Sequence, residues 1–399
     1  MHIDLLSPSS WVGGHPHAQY DWLRAHSPVH WHEEPDGPGF WAVTRYEDVR
    51  HVSRTPQTFS SEAGGVMIPD ADDAGLAAQR LMMLNMDDPR HLRFRRLVSQ
   101  PFLPRNIGLL TPRIHQLASE IVDDVSGRGA CDFVADLAGR MPSSLVGELM
   151  GIPPDDAIRL YELTEIMHST AEDDEARIRQ IEAIMEMLEY AGATAARKRV
   201  EPGDDLMTQI VQAEVDGERL TDEEIQWFFL LLVNAGGDTT RNLLSAAVDL
   251  LFRNPDERQR LQADLDRLLP TAIEEFLRYA SPVAHFRRTA THDTELAGQR
   301  IAAGEKVVVW YGAANFDSDV FDDPTRLDLG RDPNPHLAFG GGGPHLCLGV
   351  HLARLEIDAM LREVLTRLPD LEPDGPVELM QSNFIAGYHA MPVRFSAVP

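Results

Sequence analysis

The part of this sequence best suited to chemistry is a glycine loop that carries a cysteine, residues 339–349. Four consecutive glycines precede His345 and Cys347, and a helical pattern follows from His351. Because glycine has no Cβ atom, backbone N–H groups and a flat ligand can approach the sulfur closely. The positive end of a following helix favours the anionic form of the thiol. These residues indicate a loop that presents a thiolate, a soft ligand, to iron or another metal.

Two other interpretations of this loop remain open from its residues alone. A lone cysteine is more often a small buried hydrophobic residue than a ligand. A phosphate-binding loop also contains glycines, but no Gly-Lys-Ser or Gly-Lys-Thr follows them here. The glycine run and the polar His345 fit a buried hydrophobic residue poorly.

A second group of polar residues lies inside a long apolar helix. A capping box at Thr221 and Glu224 begins the helix, and the apolar pattern continues to Phe252. Halfway along, two adjacent glycines precede Asp238 and Thr239. Close packing against a neighbouring helix explains glycines but not an acid beside an alcohol. We predict that the helix opens here into a polar notch that holds water or dioxygen and relays protons.

The charge balance limits the partners. Lys plus Arg number 36 against 63 Asp plus Glu, a formal net charge of −27, which argues against a nucleic acid or an anionic membrane as partner. Residues 90–96 are the exception, because they concentrate basic side chains in less than two helical turns. This cluster predicts a solvated helix face, an anion site or a docking patch for an acidic partner.

The sequence shows no sign of a domain boundary or of an export signal. It has 399 residues without a repeat, a low-complexity tract or a recognisable linker, so we expect one domain over residues 1–399. No stretch reaches the roughly 20 apolar residues of a membrane span. Cys131 and Cys347 lie far apart, which does not indicate a disulfide framework. We therefore expect a cytoplasmic protein without membrane insertion.

The pattern of apolar residues predicts a helix-rich fold with small sheets. Residues 90–278 are mostly helical in pattern, whereas residues 40–44 and 307–311 are typical of strands. The fold class is therefore mainly α with small β-sheets at the margin, an α+β arrangement.

Three elements together resemble the cytochrome P450 family of haem-thiolate monooxygenases. They are the Cys347 loop, the Asp238-Thr239 pair in a long helix, and Glu275-x-x-Arg278. The last is common on any helix when taken alone, but the elements occur in the family's order and the resemblance covers nearly the whole chain. The resemblance implies the cytochrome P450 fold, with the long helix crossing over a haem b.

The resemblance implies roles for the residues of these elements. Cys347 looks like the axial iron ligand, and Gly342 and Gly349 look like the glycines that shape the loop. Asp238 and Thr239 resemble the acid–alcohol pair that relays protons to dioxygen.

Two further sets of charged residues follow from the resemblance. Glu275 and Arg278, with Arg326, resemble the family's buried charge triad, which supports the haem-binding loop. A second set would hold the two haem propionates, which need charge-assisted donors in a low-dielectric interior. That set is His91, Arg95, Arg288 and His345. Together with Gly349 and Cys347, these residues make up the expected cofactor contacts. Arg93 and Arg96 would remain for an acidic electron donor.

The loop departs from the family's usual pattern in one place. A phenylalanine commonly lies seven residues before the cysteine, but Gly340 occupies that position here and Phe339 lies one residue further back. The variant resembles a branch of actinobacterial members that act on sterol side chains and methyl-branched lipids.

We predict that the substrate pocket is apolar and adaptable, because the candidate residues include many methionines and few charges. The candidates are Val66, Met67, Ile68, Met82, Met83, Met167, His168, Val233, Gly236, Val283, Ala284, His285, Asn383, Phe384 and Ile385. A hydrophobic substrate follows, such as a sterol, terpenoid or branched lipid.

The resemblance implies a monooxygenase that uses dioxygen and two electrons from a ferredoxin and its NAD(P)H-dependent reductase. A peroxide-driven peroxygenase on the same scaffold is one alternative, although members of that kind tend to replace the acid–alcohol pair. A haem-binding sensor without turnover is another, but a sensor has no need of a proton relay.

Overall fold

Helices make up most of the computed structural model, which describes residues 1–168, 174–215 and 217–397. The α-helices in this part of the chain are α1 (His17–His26), α2 (Tyr46–Arg54), α3 (Asp73–Gln79), α4 (Arg90–Val98), α5 (Pro104–Leu109), α6 (Thr111–Ser126), α7 (Arg140–Met150), α8 (Pro154–His168), α9 (Asp174–Val200), α10 (Leu206–Gln212), α11 (Asp222–Arg253), α12 (Pro255–Ala263), α13 (Leu265–Ala280), α14 (Tyr311–Ala314) and α15 (Val350–Arg367). Short 3₁₀ turns lie at Pro8–Trp11, Met83–Asn85 and Gln100–Phe102, and a π-helical turn lies at Val134–Ala138.

The strands are short and lie mostly in the first sixty residues and after α13. They are β1 (Val29–His32), β2 (Phe40–Val43), β3 (Phe59–Ser60), β4 (Ala130–Asp132), β5 (Glu214–Val215), β6 (Glu218–Arg219), β7 (His285–Ala290), β8 (Thr294–Leu296), β9 (Gln299–Ile301), β10 (Lys306–Trp310), β11 (Glu372–Pro373), β12 (Glu378–Leu379), β13 (Tyr388–Ala390) and β14 (Pro392–Arg394). The largest sheet has the order β1-β2-β10-β7-β3, in which β10 runs parallel to β2 and antiparallel to β7. The predicted fold class, mainly helical with small sheets, is confirmed.

Helix α11 is the longest helix of the described residues, and its N-terminus is capped. The Thr221 hydroxyl accepts from the Glu224 N–H at 3.1 Å, and the Glu224 carboxylate accepts from the Thr221 N–H at 3.0 Å, so the predicted capping box is present. The helix has 32 residues, which corresponds to roughly 48 Å at about 1.5 Å per residue.

Both large apolar clusters of the protein include residues of α11. Phe228 and Phe229 in its first half pack with α4, α8 and α9. Leu243 and Leu244 in its second half pack with α6, α13 and α15. The helix therefore crosses between two cores, and the residues at its middle lie where those cores meet.

In the described residues, no helix is both long enough and apolar enough to cross a membrane.

Candidate active site

The cysteine loop lies against the end of α2, and its glycines make that approach possible. Gly340, Gly342 and Gly343 have φ values of +97°, +87° and +75°, in the left-handed region that favours glycine. Glycine is required at Gly341 for a different reason, because a Cβ atom there would lie 2.3 Å from the Ser53 hydroxyl. The loop can therefore turn tightly only with this composition.

Phe339 lies beside Cys347 in spite of the extra residue in the loop. The Cys347 N–H donates to the Phe339 carbonyl at 3.0 Å. The Phe339 ring lines the same cavity as Cys347 and faces the guanidinium of Arg354, whose Cζ is 4.7 Å from the ring centroid. The left-handed conformation of Gly340 accommodates the extra residue, so that Phe339 still lies beside Cys347.

The thiol of Cys347 faces a large cavity between the loop and α11. Burial raises its pKa, whereas the Gly349 N–H and the guanidinium groups of Arg95 and Arg354 act in the opposite direction. Gly349 also lines the cavity, and a Cβ atom at this position would meet no described atom within 4 Å. Its φ of −83° does not require glycine, so the missing side chain instead leaves room for a ligand beside the sulfur.

A basic cluster lines the same cavity, and we define it as His91, Arg95, Arg288 and His345. The rings of His91 and His345 lie with their centroids 4.2 Å apart. Arg95 donates to the carbonyls of Pro344 at 2.9 Å and Leu346 at 2.7 Å, which ties α4 to the cysteine loop. The structure therefore brings together all four predicted propionate ligands.

The basic cluster has the electrostatics of an anion site. Burial lowers the pKa of His345 to about 2, with further lowering from Arg288, His91 and Arg95. Neither ring nitrogen of His91 makes a hydrogen bond with the described residues, although Nδ1 lies 3.5 Å from an Asp88 carboxylate oxygen. Buried donors without acceptors are costly. These residues fit the two carboxylates of a haem.

On the opposite side, α11 presents Thr239 and Thr240 to the cavity. The prediction that the helix opens at this point is wrong, because α11 is continuous from Asp222 to Arg253. The Thr239 hydroxyl donates to the Ala235 carbonyl at 3.0 Å, one turn earlier. Gly236 lines the cavity and is also needed for packing, since a Cβ atom there would lie 2.8 Å from a methyl of Val146 on α7.

Asp238 lies on another side of α11 and is not among the residues that line the cavity. It is buried, and one carboxylate oxygen lies 3.4 Å from a guanidinium nitrogen of Arg241. Arg241 in turn donates to the Tyr161 hydroxyl on α8 at 2.6 Å. The acid and the alcohol are thus neighbours in sequence that face different environments.

The Glu275 carboxylate is held by a network that includes one predicted partner and one that the sequence did not indicate. Arg278 donates two hydrogen bonds to it at 2.8 Å, with both side chains fully buried. The other cation is Arg331, whose Nε donates at 3.1 Å. The prediction that Arg326 belongs to the buried charge triad is wrong. This residue is exposed, and only its carbonyl joins the network, as an acceptor for Arg331.

Few of the predicted pocket residues line the cavity. Met83, Gly236 and Val283 do. Val233 lies beside a smaller cavity between α7, α8 and α11. The His168 side chain lies outside the described residues. The predicted residues that do not line the main cavity are Val66, Met67, Ile68, Met82, Met167, Ala284, His285, Asn383, Phe384 and Ile385.

Two of the predicted pocket segments nevertheless pack against each other behind the cavity wall. The Ala284 N–H donates to the Phe384 carbonyl at 2.8 Å, and Val283 bridges to Ile385. His285 is 1% exposed, and its Nδ1 lies 2.8 Å from the Asn383 carbonyl. These residues support the wall that Val283 completes, and His285 belongs to the core.

Most of the apolar wall was not predicted from the sequence. Phe228, Leu231, Leu232 and Ala235 line the cavity from α11, and Leu84 lines it from the turn after Met83. A signal was present, because residues 228, 231, 232, 235, 236 and 239 recur at the three- and four-residue spacing of one helix face. Arg93 also differs from expectation, since it pairs with Glu218 and Glu224 and is not left for a partner.

Comparison with known proteins agrees with this arrangement. The model of the Cytochrome P450 family matches residues 157–386. A methyl-branched lipid omega-hydroxylase of Mycobacterium tuberculosis is 41% identical over 388 residues, covering 94% of this chain and 90% of that protein. A steroid C26-monooxygenase of the same bacterium is 35% identical over 396 residues, covering 96% and 90%. A Mycobacterium marinum cytochrome P450 in complex with pseudoionone is 40% identical, with a TM-score of 0.92 and 99% of each chain covered.

Proposed function

We propose a specific function on the premise that the chain belongs to the cytochrome P450 family. The protein is a monooxygenase of that family and uses dioxygen to oxidise a hydrophobic substrate. The observation that carries the proposal is one cavity lined by Cys347, by Thr239 and by the basic cluster. A thiol, an alcohol and a group of buried basic side chains fit the axial ligand, the relay hydroxyl and the propionate donors of a haem-thiolate site.

The family implies a haem with a cysteine thiolate ligand. We assign Cys347 as that ligand, since it is the cysteine that lines the cavity, and haem b as the cofactor. The basic cluster would hold the propionates, and Gly349 would leave space beside the sulfur. When bound, this cofactor supplies the activation of dioxygen for insertion of one oxygen atom into a C–H bond.

The residues of α11 would manage protons on the opposite side of the cavity. Thr239 lines the cavity, and at rest its hydroxyl donates to the Ala235 carbonyl. Asp238 would supply protons to it from the side of α11 where Arg241 and Tyr161 lie. We assign these two residues to the relay because a carboxyl and a hydroxyl can pass protons into the cavity from the side of α11.

The apolar wall supports a hydrophobic substrate of the sterol, terpenoid or branched-lipid kind. Phe228, Leu231, Leu232 and Val283 offer no hydrogen bond to a substrate. The two curated relatives are named for a steroid and for methyl-branched lipids, and the structural relative holds pseudoionone. We propose that electrons come from a ferredoxin and its NAD(P)H-dependent reductase.

Product formation tests this function directly. The haem-loaded protein is incubated with a surrogate ferredoxin, its reductase and NADPH, together with sterols and terpenoids, and products are identified by mass spectrometry. We expect a product that is heavier by one oxygen atom and absent when the ferredoxin is omitted. Product formed equally well with hydrogen peroxide alone would favour the peroxygenase, and substrate binding without any product would favour a sensor.

A further inference from the structure

Helix α13 carries two adjacent acidic residues, and each binds a different part of the chain around the cysteine loop. Glu275 binds Arg278 and Arg331. Its neighbour Glu274 binds Arg354 on α15 through two hydrogen bonds, from Nε to Oε1 at 2.6 Å and from Nη2 to Oε2 at 2.7 Å. Two parallel bonds of this kind fix the geometry of an arginine and a carboxylate. The pair therefore links α13 to α15, the helix that follows the cysteine loop.

His336 is a second partner of Glu274. Its Nδ1 accepts from the Ala338 N–H at 3.2 Å, so that Nε2 carries the ring proton and donates to Oε2 of Glu274 at 3.1 Å. Burial opposes ionisation of Glu274, but the hydrogen bonds from Arg354 and His336 outweigh burial and lower the pKa of this carboxyl to about 2. Glu274 is therefore a carboxylate at neutral pH, and its charge offsets that of Arg354.

Both partners of Glu274 contact Phe339. The guanidinium of Arg354 lies over the phenyl ring, with Cζ 4.7 Å from the ring centroid, and the ring centroid of His336 lies 5.9 Å away. A guanidinium within about 6 Å of a ring centroid is attracted to the ring face. The Phe339 carbonyl in turn accepts from the Cys347 N–H at 3.0 Å. The charge pair is thus connected to the cysteine through one residue.

The charge of Arg354 matters because reduction of a haem adds negative charge beside its thiolate ligand. A nearby cation favours the reduced state and a nearby anion favours the oxidised state, more strongly where water is partly excluded. The guanidinium of Arg354 acts electrostatically on the Cys347 sulfur. The side chains of Arg354 and Glu274 are 34% and 27% exposed, so water screens them only in part. With both charges present, their effects on the sulfur oppose each other.

We propose that Glu274 and Arg354 are positioning residues for the axial thiolate. Glu274 holds the guanidinium on the Phe339 ring and offsets its charge, and the two charges together set the reduction potential of the bound haem. Neither residue is among those that line the cavity. This role rests on the proposed function for the assignment of Cys347 as the haem ligand, but not on turnover.

Opposite changes of charge test this role. Arg354→Met leaves the Glu274 carboxylate without its cation and should lower the reduction potential of the haem-loaded protein. Glu274→Gln leaves the guanidinium without its anion and should raise the potential. We expect each variant to change the equilibrium constant for reduction at least about threefold, or about 28 mV, because a tenfold change is about 59 mV for one electron. Spectroelectrochemical titration without substrate measures the potentials.

Two further variants serve as controls. Glu274→Gln combined with Arg354→Met removes both charges, and its potential should lie between those of the single variants. Arg362→Met is the matched control, because Arg362 also joins α15 to α13, through Asp266 at 2.5 Å, about two helical turns further along α15. Its potential should equal that of the wild type. If Arg354→Met does not retain haem, the rise in Glu274→Gln and its reversal in the double variant decide the question.

The outcomes separate electrostatic positioning from mere support of the loop. A loosened loop would shift the potentials of Arg354→Met and Glu274→Gln in the same direction. That result, unchanged potentials in both, or an equal shift in Arg362→Met would overturn the proposal.

The carbon monoxide difference spectrum of the same samples separates this role from the proposed function. A wild-type protein without the thiolate band would refute the haem-thiolate assignment, and with it the role of this pair. A wild-type protein with that band, but without the opposite shifts in the variants, would refute only the role of Glu274 and Arg354.

Discussion

The guanidinium of Arg331 donates to Oε2 of Glu275 at 3.1 Å, and the two residues are 56 positions apart in the chain. Asn334 donates to the same oxygen at 3.0 Å. Arg331 also donates to the carbonyls of Asp322 at 2.8 Å and Arg326 at 3.2 Å. This one side chain thus connects α13 to the segment that precedes the cysteine loop.

Replacement of Arg331 should destabilise the protein far more than replacement of Arg326. Arg331→Met leaves part of a buried carboxylate uncompensated, which costs about 3 kcal/mol. Arg326→Met changes an exposed side chain and should stay within about 0.5 kcal/mol. Urea unfolding of both variants measures the difference. Equal destabilisation would mean that Arg331 does not join Arg278 in compensating the charge of Glu275.

Replacement of His91 should weaken haem retention without harming the apoprotein. His91→Leu removes no hydrogen bond that the described residues make to its ring nitrogens, so apoprotein stability should be unchanged or slightly higher. The loss of one charge-assisted donor to a propionate should speed haem loss by roughly tenfold or more.

Haem transfer to an excess of an apo-globin measures this rate, with Arg96→Gln on the exposed side of the same helix as the control. Haem loss at the wild-type rate in His91→Leu would remove His91 from the propionate site.

The two adjacent threonines of α11 should behave differently. Thr239→Ala should keep haem and substrate binding but divert reducing equivalents from product to hydrogen peroxide, because the relay hydroxyl is missing. Thr240→Ala is the matched control, since Thr240 also lines the cavity. The ratio of product to NADPH consumed measures the coupling. A fall in coupling in Thr240→Ala alone would transfer the proposed role to that residue.

His285 should make the protein sensitive to acid. Burial lowers its pKa to about 4, against 6.5 for an ordinary histidine. The folded state therefore binds fewer protons than the unfolded state between these values. This contribution to stability is fully present above about pH 6.5 and is lost as the pH falls towards 4, with a limiting slope of about 1.4 kcal/mol per pH unit.

His285→Gln removes the titration and keeps a donor for the Asn383 carbonyl. Its free energy of unfolding should therefore fall less steeply than that of the wild type between pH 6.5 and 4, as measured by urea unfolding at a series of pH values. Parallel pH profiles would show that His285 does not contribute.

The sequence was most informative where chemistry restricts the residue type. The Cys347 loop, the basic cluster and the Glu275-Arg278 pair could be predicted because few residues can take these positions. The sequence predicted Arg326 as the third member of the triad, whereas the guanidinium that reaches Glu275 is that of Arg331, because the loop geometry that places it depends on tertiary contacts. The opening of α11 was also predicted wrongly, because the packing of Gly236 against Val146 explains the glycine without a break.

Pocket prediction was poorer for a physical reason. Apolar residues at a wall and apolar residues one layer behind it have the same composition, and only packing separates them. Val283 lines the cavity while its neighbour Ala284 is buried behind it. The single domain over residues 1–399 stays a prediction.

The most direct test of the account is the carbon monoxide difference spectrum of the dithionite-reduced protein, recorded for the wild type, Cys347→Ser and Cys131→Ser. Cys131 is a suitable control, because burial raises its pKa to about 12 and it lies in β4, away from the cavity. We predict the strongly red-shifted Soret band of a cysteinate-ligated haem in the wild type and in Cys131→Ser, and its loss in Cys347→Ser. A globin-like band in the wild type, or a thiolate band that persists in Cys347→Ser, would contradict it.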